Sequence, residues 1–404
     1  MTELLAGPYR PLVEYTRGGI VESFHAGAIA VVDAQGRLVA SYGDPTAVVF
    51  LRSSAKPFQT LPLIESGAAE AFALPPREIA LTCASHLGLD MHAETAASIQ
   101  ARIGASEHDL LCGTHEVLDR ETARRLLLAG QAPGPNRHNC SGKHSGMLVQ
   151  ARHRDLPLAD YINPRHPVQQ TILATFAEMV GLSPSQVVVG VDGCSAPNFA
   201  VPLLNAALAF ARLADPSSLP PRRANALRTV FYAMTAYPEM VRGPGGLDTE
   251  VMRRRPGLLA SKGGAEATRA WASCPARCGP IRPPWASPSR SPTARPEPCR
   301  LWPWKSCASW ACWARPISTP WPSSTSARAR PCATSAGWWS ARPGPPLTWI
   351  SQASPAHSRS MMGSSRKRAG AGTQCPPQPV FGNILLFDDS NVPMVSCNPP
   401  LFSR

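Results

Sequence analysis

Leu51–Gln59 reads LRSSAKPFQ, and the fold turns on what Ser53 and Lys56 do there. The two are spaced i, i+3, so at the start of a helix both side chains lie on one face. A lysine held there can take the serine proton if burial or neighbouring cations lower its pKa. Ser54 stands two residues from Lys56 and would point elsewhere, which makes Ser53 the better nucleophile. Alone the pattern is weak, because ordinary Ser and Lys usage gives S-x-x-K about once or twice in such a chain.

Working outward, further clusters combine reactive side chains with turns. In Cys83–His92, CASHLGLDMH, a short apolar stretch (IALTCA) runs into a polar turn. Ser85 and His86, read at a strand end, are placed for contact with a substrate; the plainer reading is a turn serine bonded to its own backbone. Arg137–Met147, RHNCSGKHSGM, packs His138, Cys140, Lys143 and His144 around two glycines just before a helix. Gly190–Asn198, GVDGCSAPN, places Asp192 and Cys194 after a strand and before a helix. Two cysteines from such loops, with a histidine nearby, could hold zinc. Buried structural cysteines fit the spacing equally well, since there is no CxxC pair and a lysine ligand must be neutral. Lys262, in LLASKGGAE, reads by itself as a solvated surface charge.

The 404 residues carry a formal net charge of +13, with 44 prolines, 12 cysteines and 10 tryptophans. A 44% hydrophobic chain of this length is not disordered and can bury a sizeable core. The averages hide a break. Residues 1–270 hold 25 Lys+Arg against 24 Asp+Glu, and residues 271–404 hold 15 against 3. All ten tryptophans lie between Trp271 and Trp349. Three regions follow: 1–270 with globular patterning, 271–370 rich in Pro, Arg, Trp and Cys, and an unassigned tail 371–404.

In the first region Gly27–Asp33 and Leu38–Tyr42 read as a hairpin across Gly36. Glu94–Ile103, Glu121–Leu128, Val168–Val180 and Asn198–Leu213 carry helix-like patterns, and Gln186–Val191 a buried-strand pattern. No segment is apolar for long enough to span a bilayer. The first residues lack a secretory pattern, and the four cysteines of this region are too few for a disulfide scaffold, so the expected setting is the reduced cytoplasm.

Residues 271–370 show neither apolar period, and their many tryptophans argue against intrinsic disorder. A shifted reading frame accounts for them. Starting each codon of Trp302–Ala314 one base earlier forces an amphipathic helix ending in glycine. The same operation on Trp285–Ala294 permits L-G-L-A-L-K-I-A-D-G, and on Gly337–Ala341 it permits G-L-V-V-G. The expected onset lies between Glu266 and Trp271, and the last third is expected to be irregular. The excess of basic charge is then no pointer to nucleic acid, for which the cysteine spacings complete no zinc-finger signature.

Taken in order, SSAKPFQ, CASHLGLDMH, HNCSGKHSGM, GVDGCSAPNFAVPL and ASKGGAE resemble the thermolabile, Rhizobium-type L-asparaginase family over about residues 10–268. The resemblance implies an α/β (α+β) fold like that of serine β-lactamases and glutaminases, a central, mainly antiparallel sheet flanked by helices. It implies hydrolysis of the side-chain amide of L-asparagine through an acyl-enzyme. Ser53 with Lys56 and Ser85 with Lys262 are its two Ser/Lys pairs, and Cys140, Lys143 and Cys194 its zinc site. Arg52, His144 and Asp192 support substrate or metal. The expected partner is the small-molecule substrate, with neither nucleic acid nor membrane, and a homodimer stays open. A serine-type glutaminase, a β-lactamase-like amidase and an inactive frameshifted fragment are the competing readings.

Overall fold

A computed structural model describes residues 7–274 together with two later strands, Ser340–Pro343 and Phe381–Phe387. The rest of the 271–370 region and of the tail lies outside the described residues.

Two antiparallel sheets are joined by a helical body. The larger has the order β7 (Leu259–Gly263), β8 (Arg269–Ser273), β10 (Phe381–Phe387), β2 (Ile20–Asp33), β1 (Arg10–Arg17) and β9 (Ser340–Pro343), with β3 (Leu38–Tyr42) also paired to β2. Every pairing in it is antiparallel. The smaller has the order β4 (Val48–Phe50), β6 (Pro197–Pro202), β5 (Val188–Val191). The expected β2–β3 hairpin is present, and Asp33 accepts the backbone N–H groups of Gln35 and Arg37 to close its turn.

Helix Leu203–Ala214 packs across β2, β8 and β10. Its buried Phe210 meets Phe58 edge-on, with ring centroids 5.0 Å apart, and Phe176 stacks on Phe199. These contacts tie the Leu51–Gln59 segment to both sheets. The alternating small residues of β2 (Ala28, Ala30 and Val32, all buried) let the helix lie close to the sheet.

Three local expectations are corrected. Val188–Val191 is a strand but not a buried one: Val188, Val189 and Val191 are 53%, 41% and 77% exposed, because β5 is the edge of the small sheet. The stretch before Ser85 is a helix, Pro76–Thr82, rather than a strand. Asp192 and Cys194 lie between strands β5 and β6, not before a helix; the helix expected from Asn198 begins at Leu203, after Pro202 ends β6.

The tail contributes something its sequence did not announce. Phe381–Phe387 pairs with Gly27–Asp33 of β2 on one side and Arg269–Ser273 of β8 on the other. It therefore joins the amino-terminal hairpin to the β7–β8 hairpin that carries Lys262.

Candidate active site

Residues Arg52–Ala55 form a 3-10 turn and Lys56–Gln59 begins a helix behind it, so Lys56 leaves the turn on the side of the Cys83–Ser85 segment. Its amine is buried among three oxygens: Ala84 O at 2.5 Å, Ser85 Oγ at 2.9 Å and Asn139 O at 3.4 Å. Lys262 enters from β7 on the opposite side and also stands 2.9 Å from Ser85 Oγ, while donating to Gly263 O at 2.6 Å. Ser85 thus sits between two lysine amines. Ser54 points away, as its spacing implied, and donates to Lys262 O at 3.1 Å.

The two Ser/Lys pairs are therefore one cluster centred on Ser85. Ser53 lies on the wall of the same cavity, of about 580 Å³, together with Ser85, Asn139, Arg242 and Asp248. Its hydroxyl makes no hydrogen bond among the described residues. Arg52 just before it has φ 49°, a left-handed backbone that a non-glycine residue adopts only under constraint. Gly264 explains part of that constraint: a Cβ there would stand 2.6 Å from Leu51 O, so the chain just after β7 is pressed onto the turn that holds Ser53.

Lys262 is fully buried, not a surface charge. Burial pulls its pKa down; Asp248 opposes this, and Lys56, Arg242 and Arg269 add to it, leaving a value of about 7. Asp248 was not anticipated. It accepts from Ser261 Oγ at 2.6 Å, Gly263 N at 3.0 Å and Arg269 Nη1 at 2.5 Å, bracing both neighbours of Lys262 in β7. Burial pushes its carboxyl up, but Lys262, Arg269 and these hydrogen bonds outweigh it, and Asp248 stays ionised below the usual carboxylate range. Arg242, in a Gly- and Pro-rich loop that also lines the cavity, donates to Ser85 O at 2.9 Å.

A second cluster lies in helix Ser141–His153 and the β5–β6 loop. Gly142 lets that helix touch the one before Ser85, since a Cβ there would stand 2.1 Å from Leu81 O. Lys143 Nζ is 3.0 Å from Cys194 Sγ. Hydrogen bonding from the Cys140 thiol lowers the pKa of Cys194 far below the ordinary thiol value; burial opposes this, and Lys143 adds to it. Burial lowers the pKa of Lys143, but the sulfurs of Cys194 and Cys140 outweigh it, and the pair is ammonium and thiolate. His144 Nδ1 meets Tyr161 OH at 2.7 Å, and its buried Nε2 has no hydrogen-bond partner. Burial lowers its pKa to about 4 despite the sulfur of Cys194, so the ring is neutral. Asp192 pairs with Arg52 at 2.9 Å, linking this loop to the Ser53 turn.

Cys140, Lys143 and Cys194 are thus brought together, with His144 beside them. Among the described residues no three His, Cys, Asp or Glu side chains group as a metal site. The contacts present centre on Cys194, which meets the Lys143 amine and the Cys140 thiol.

The described chain is a mixed α/β protein of small antiparallel sheets, whose cavity presents a buried serine between two lysines. A model of the L-asparaginase II family matches residues 13–280, well over half of the chain. The chain belongs to that family, whose members are amidohydrolases acting on L-asparagine. No curated protein matches it. Among the described residues no helix is long and apolar enough to cross a membrane.

Proposed function

We propose that this chain hydrolyses the side-chain amide of L-asparagine through an acyl-enzyme formed on Ser85. The observation that carries the reading is the pair of 2.9 Å contacts from Ser85 Oγ to Lys56 Nζ and Lys262 Nζ. Three oxygens surround Lys56 Nζ, the arrangement of an ammonium donating three hydrogen bonds. Lys262, with a pKa near 7, can be the neutral amine that receives the Ser85 proton.

Lys56 stabilises the negative charge that builds on Ser85 Oγ as its proton leaves, and Ser85 Oγ then attacks the amide carbon. The proton on Lys262 passes to the leaving nitrogen and ammonia departs. Water enters, gives a proton to Lys262 and attacks the ester carbon; Lys262 then returns that proton to Ser85 Oγ as L-aspartate leaves. The arrangement of one serine between two lysines at a sheet edge supports a fold of the serine β-lactamase and glutaminase kind.

A second reading makes Ser53 the nucleophile and Ser85 its proton relay. It is favoured by the free hydroxyl of Ser53 on the cavity wall and the strained Arg52 before it. Ammonia release by Ser85→Ala and Ser53→Ala tests the two. Loss in Ser85→Ala with a residual rate in Ser53→Ala fits the first reading; full activity in Ser85→Ala contradicts both.

The second cluster fits zinc: Cys140 and Cys194 are soft donors, and His144 Nε2 is buried without a partner. Cys140, Cys194 and Lys143 would hold the ion, Lys143 only after losing its proton, and the neutral His144 offers a donor that need lose none. When bound, zinc would supply a fixed positive charge behind the cavity. The residues themselves hold the β5–β6 loop against helix Ser141–His153.

The family match ends at residue 280, shortly after the change in composition. The match runs about ten residues past the onset expected between Glu266 and Trp271, so it supports a shifted frame only for the sequence beyond residue 280.

A further inference from the structure

The substrate of this family carries an α-carboxylate besides the amide that is cleaved, and the described site contains a cation placed to receive it. Arg242 lines the same cavity as Ser85 and is half-buried. It forms no ion pair among the described residues, whereas Asp248, the acid on the same cavity wall, is committed elsewhere. Asp248 is shared by Ser261, Gly263 and Arg269. Glu239 and Glu250, three and eight residues from Arg242 in the chain, are both paired with Arg253. Arg269, the other guanidinium on the wall, is held by Asp248 at 2.5 Å. Arg242 uses Nη1 to donate to Ser85 O, which leaves N–H groups of its planar fork for an incoming anion.

We propose that Arg242 binds the α-carboxylate of the substrate and thereby sets the length of side chain the site accepts. The anchor is clamped to the backbone oxygen of the residue whose hydroxyl attacks, so anchor and nucleophile are held by the backbone and side chain of one residue, Ser85. Three C–C bonds separate the carboxylate and amide carbons of L-asparagine, roughly 4 Å when extended, and glutamine adds a further bond. A guanidinium fork at fixed distance therefore favours the shorter amide. The inference rests on the amidohydrolase reading above.

The test uses the full chain with Arg242→Met and Arg242→Lys, each first checked for a cooperative melt. L-aspartate binding is followed by calorimetry, and kcat/KM is measured for L-asparagine and its α-methyl ester. Arg242→Met is expected to weaken L-aspartate by about 10- to 100-fold, the value of one charge-assisted contact, with a smaller loss in Arg242→Lys. It should raise KM for L-asparagine by a similar factor and leave the ester, which has no charge to anchor, nearly unchanged. Equal losses on acid and ester would mean that Arg242 only steadies Ser85, and would overturn the proposal. So would unchanged L-aspartate affinity, or no binding to the parent chain. A parent that binds L-aspartate through Arg242 yet releases no ammonia would sink the amidohydrolase reading and leave the anchor standing.

Discussion

Lys262 and Lys143 are both buried, 0% and 4% exposed, yet their pKa values move in opposite directions. Burial alone lowers a lysine pKa. Lys262 follows that rule because Lys56, Arg242 and Arg269 outnumber its single acid, Asp248. Lys143 breaks it because the sulfurs of Cys194 and Cys140, with Asp192, face it. The comparison separates two uses of one residue type: a lysine that can be a base near neutral pH, and a lysine that is a fixed cation holding a loop.

The largest expected effect comes from removing the base. Lys262→Met should lower kcat/KM for L-asparagine by about 10²- to 10⁴-fold, the usual contribution of a positioned general base. In the parent, activity should fall as pH drops through about 7, where Lys262 gains its proton. A Lys262→Met variant with parental ammonia release would break the comparison.

Removing the anion opposite the other lysine should cost stability instead. Cys194→Ala leaves the Lys143 ammonium buried without its counter-charge, a loss of about 3 to 5 kcal/mol in urea unfolding. Adding Lys143→Met should recover much of it. A single variant as stable as the parent would show that Lys143 is neutral in the folded chain.

Proton linkage gives a third, smaller effect. Lys262 titrates near 7 when folded and at the ordinary lysine value of 10.5 when unfolded, so between these values the unfolded chain binds more protons and stability rises with pH. Below about 7 the full cost of burying the charge is present. Lys262→Met should therefore be more stable than the parent at pH 6, with the gap narrowing towards pH 10. Thermal melts across this range check it; a constant gap contradicts the depressed value. Lys143, raised above 10.5, has the opposite sign: its contribution is present below 10.5 and is lost at higher pH.

The smallest effect probes Asp248, which raises the pKa of Lys262. Asp248→Asn keeps the shape and removes the charge, so the acid limb of the pH profile should move to lower pH. A limb that stays in place would assign it to another group.

Much of the site was legible because its residues sit in short, chemically dense motifs. SSAKPFQ, CASHLGLDMH and ASKGGAE named Ser53, Lys56, Ser85 and Lys262, and the structure gathers all four around one cavity. The i, i+3 spacing pointed Lys56 at Ser53; Lys56 begins the helix behind the turn, and its hydrogen bonds go to Ser85 Oγ and to the carbonyls of Ala84 and Asn139. Asp248 and Arg242 were missed because RGPGGLD reads as an ordinary turn; only the approach of β7 and β8 gives Asp248 its partners. The charged residues flanking the Gly243–Gly246 run, Arg242 directly before it and Asp248 two residues after it, were the available signal. The strand at Phe381–Phe387 was invisible for a related reason, since its partners are some 350 residues away in β2 and over a hundred away in β8.

The central claim is that Ser85, held between Lys56 and Lys262, forms the covalent intermediate. Rapid acid quench of the full chain turning over L-asparagine, followed by peptide mass spectrometry, reads it directly. The account predicts an aspartyl ester on the peptide containing Ser85, absent in Ser85→Ala and diminished below pH 7. An ester on the peptide containing Ser53 that persists in Ser85→Ala would contradict it.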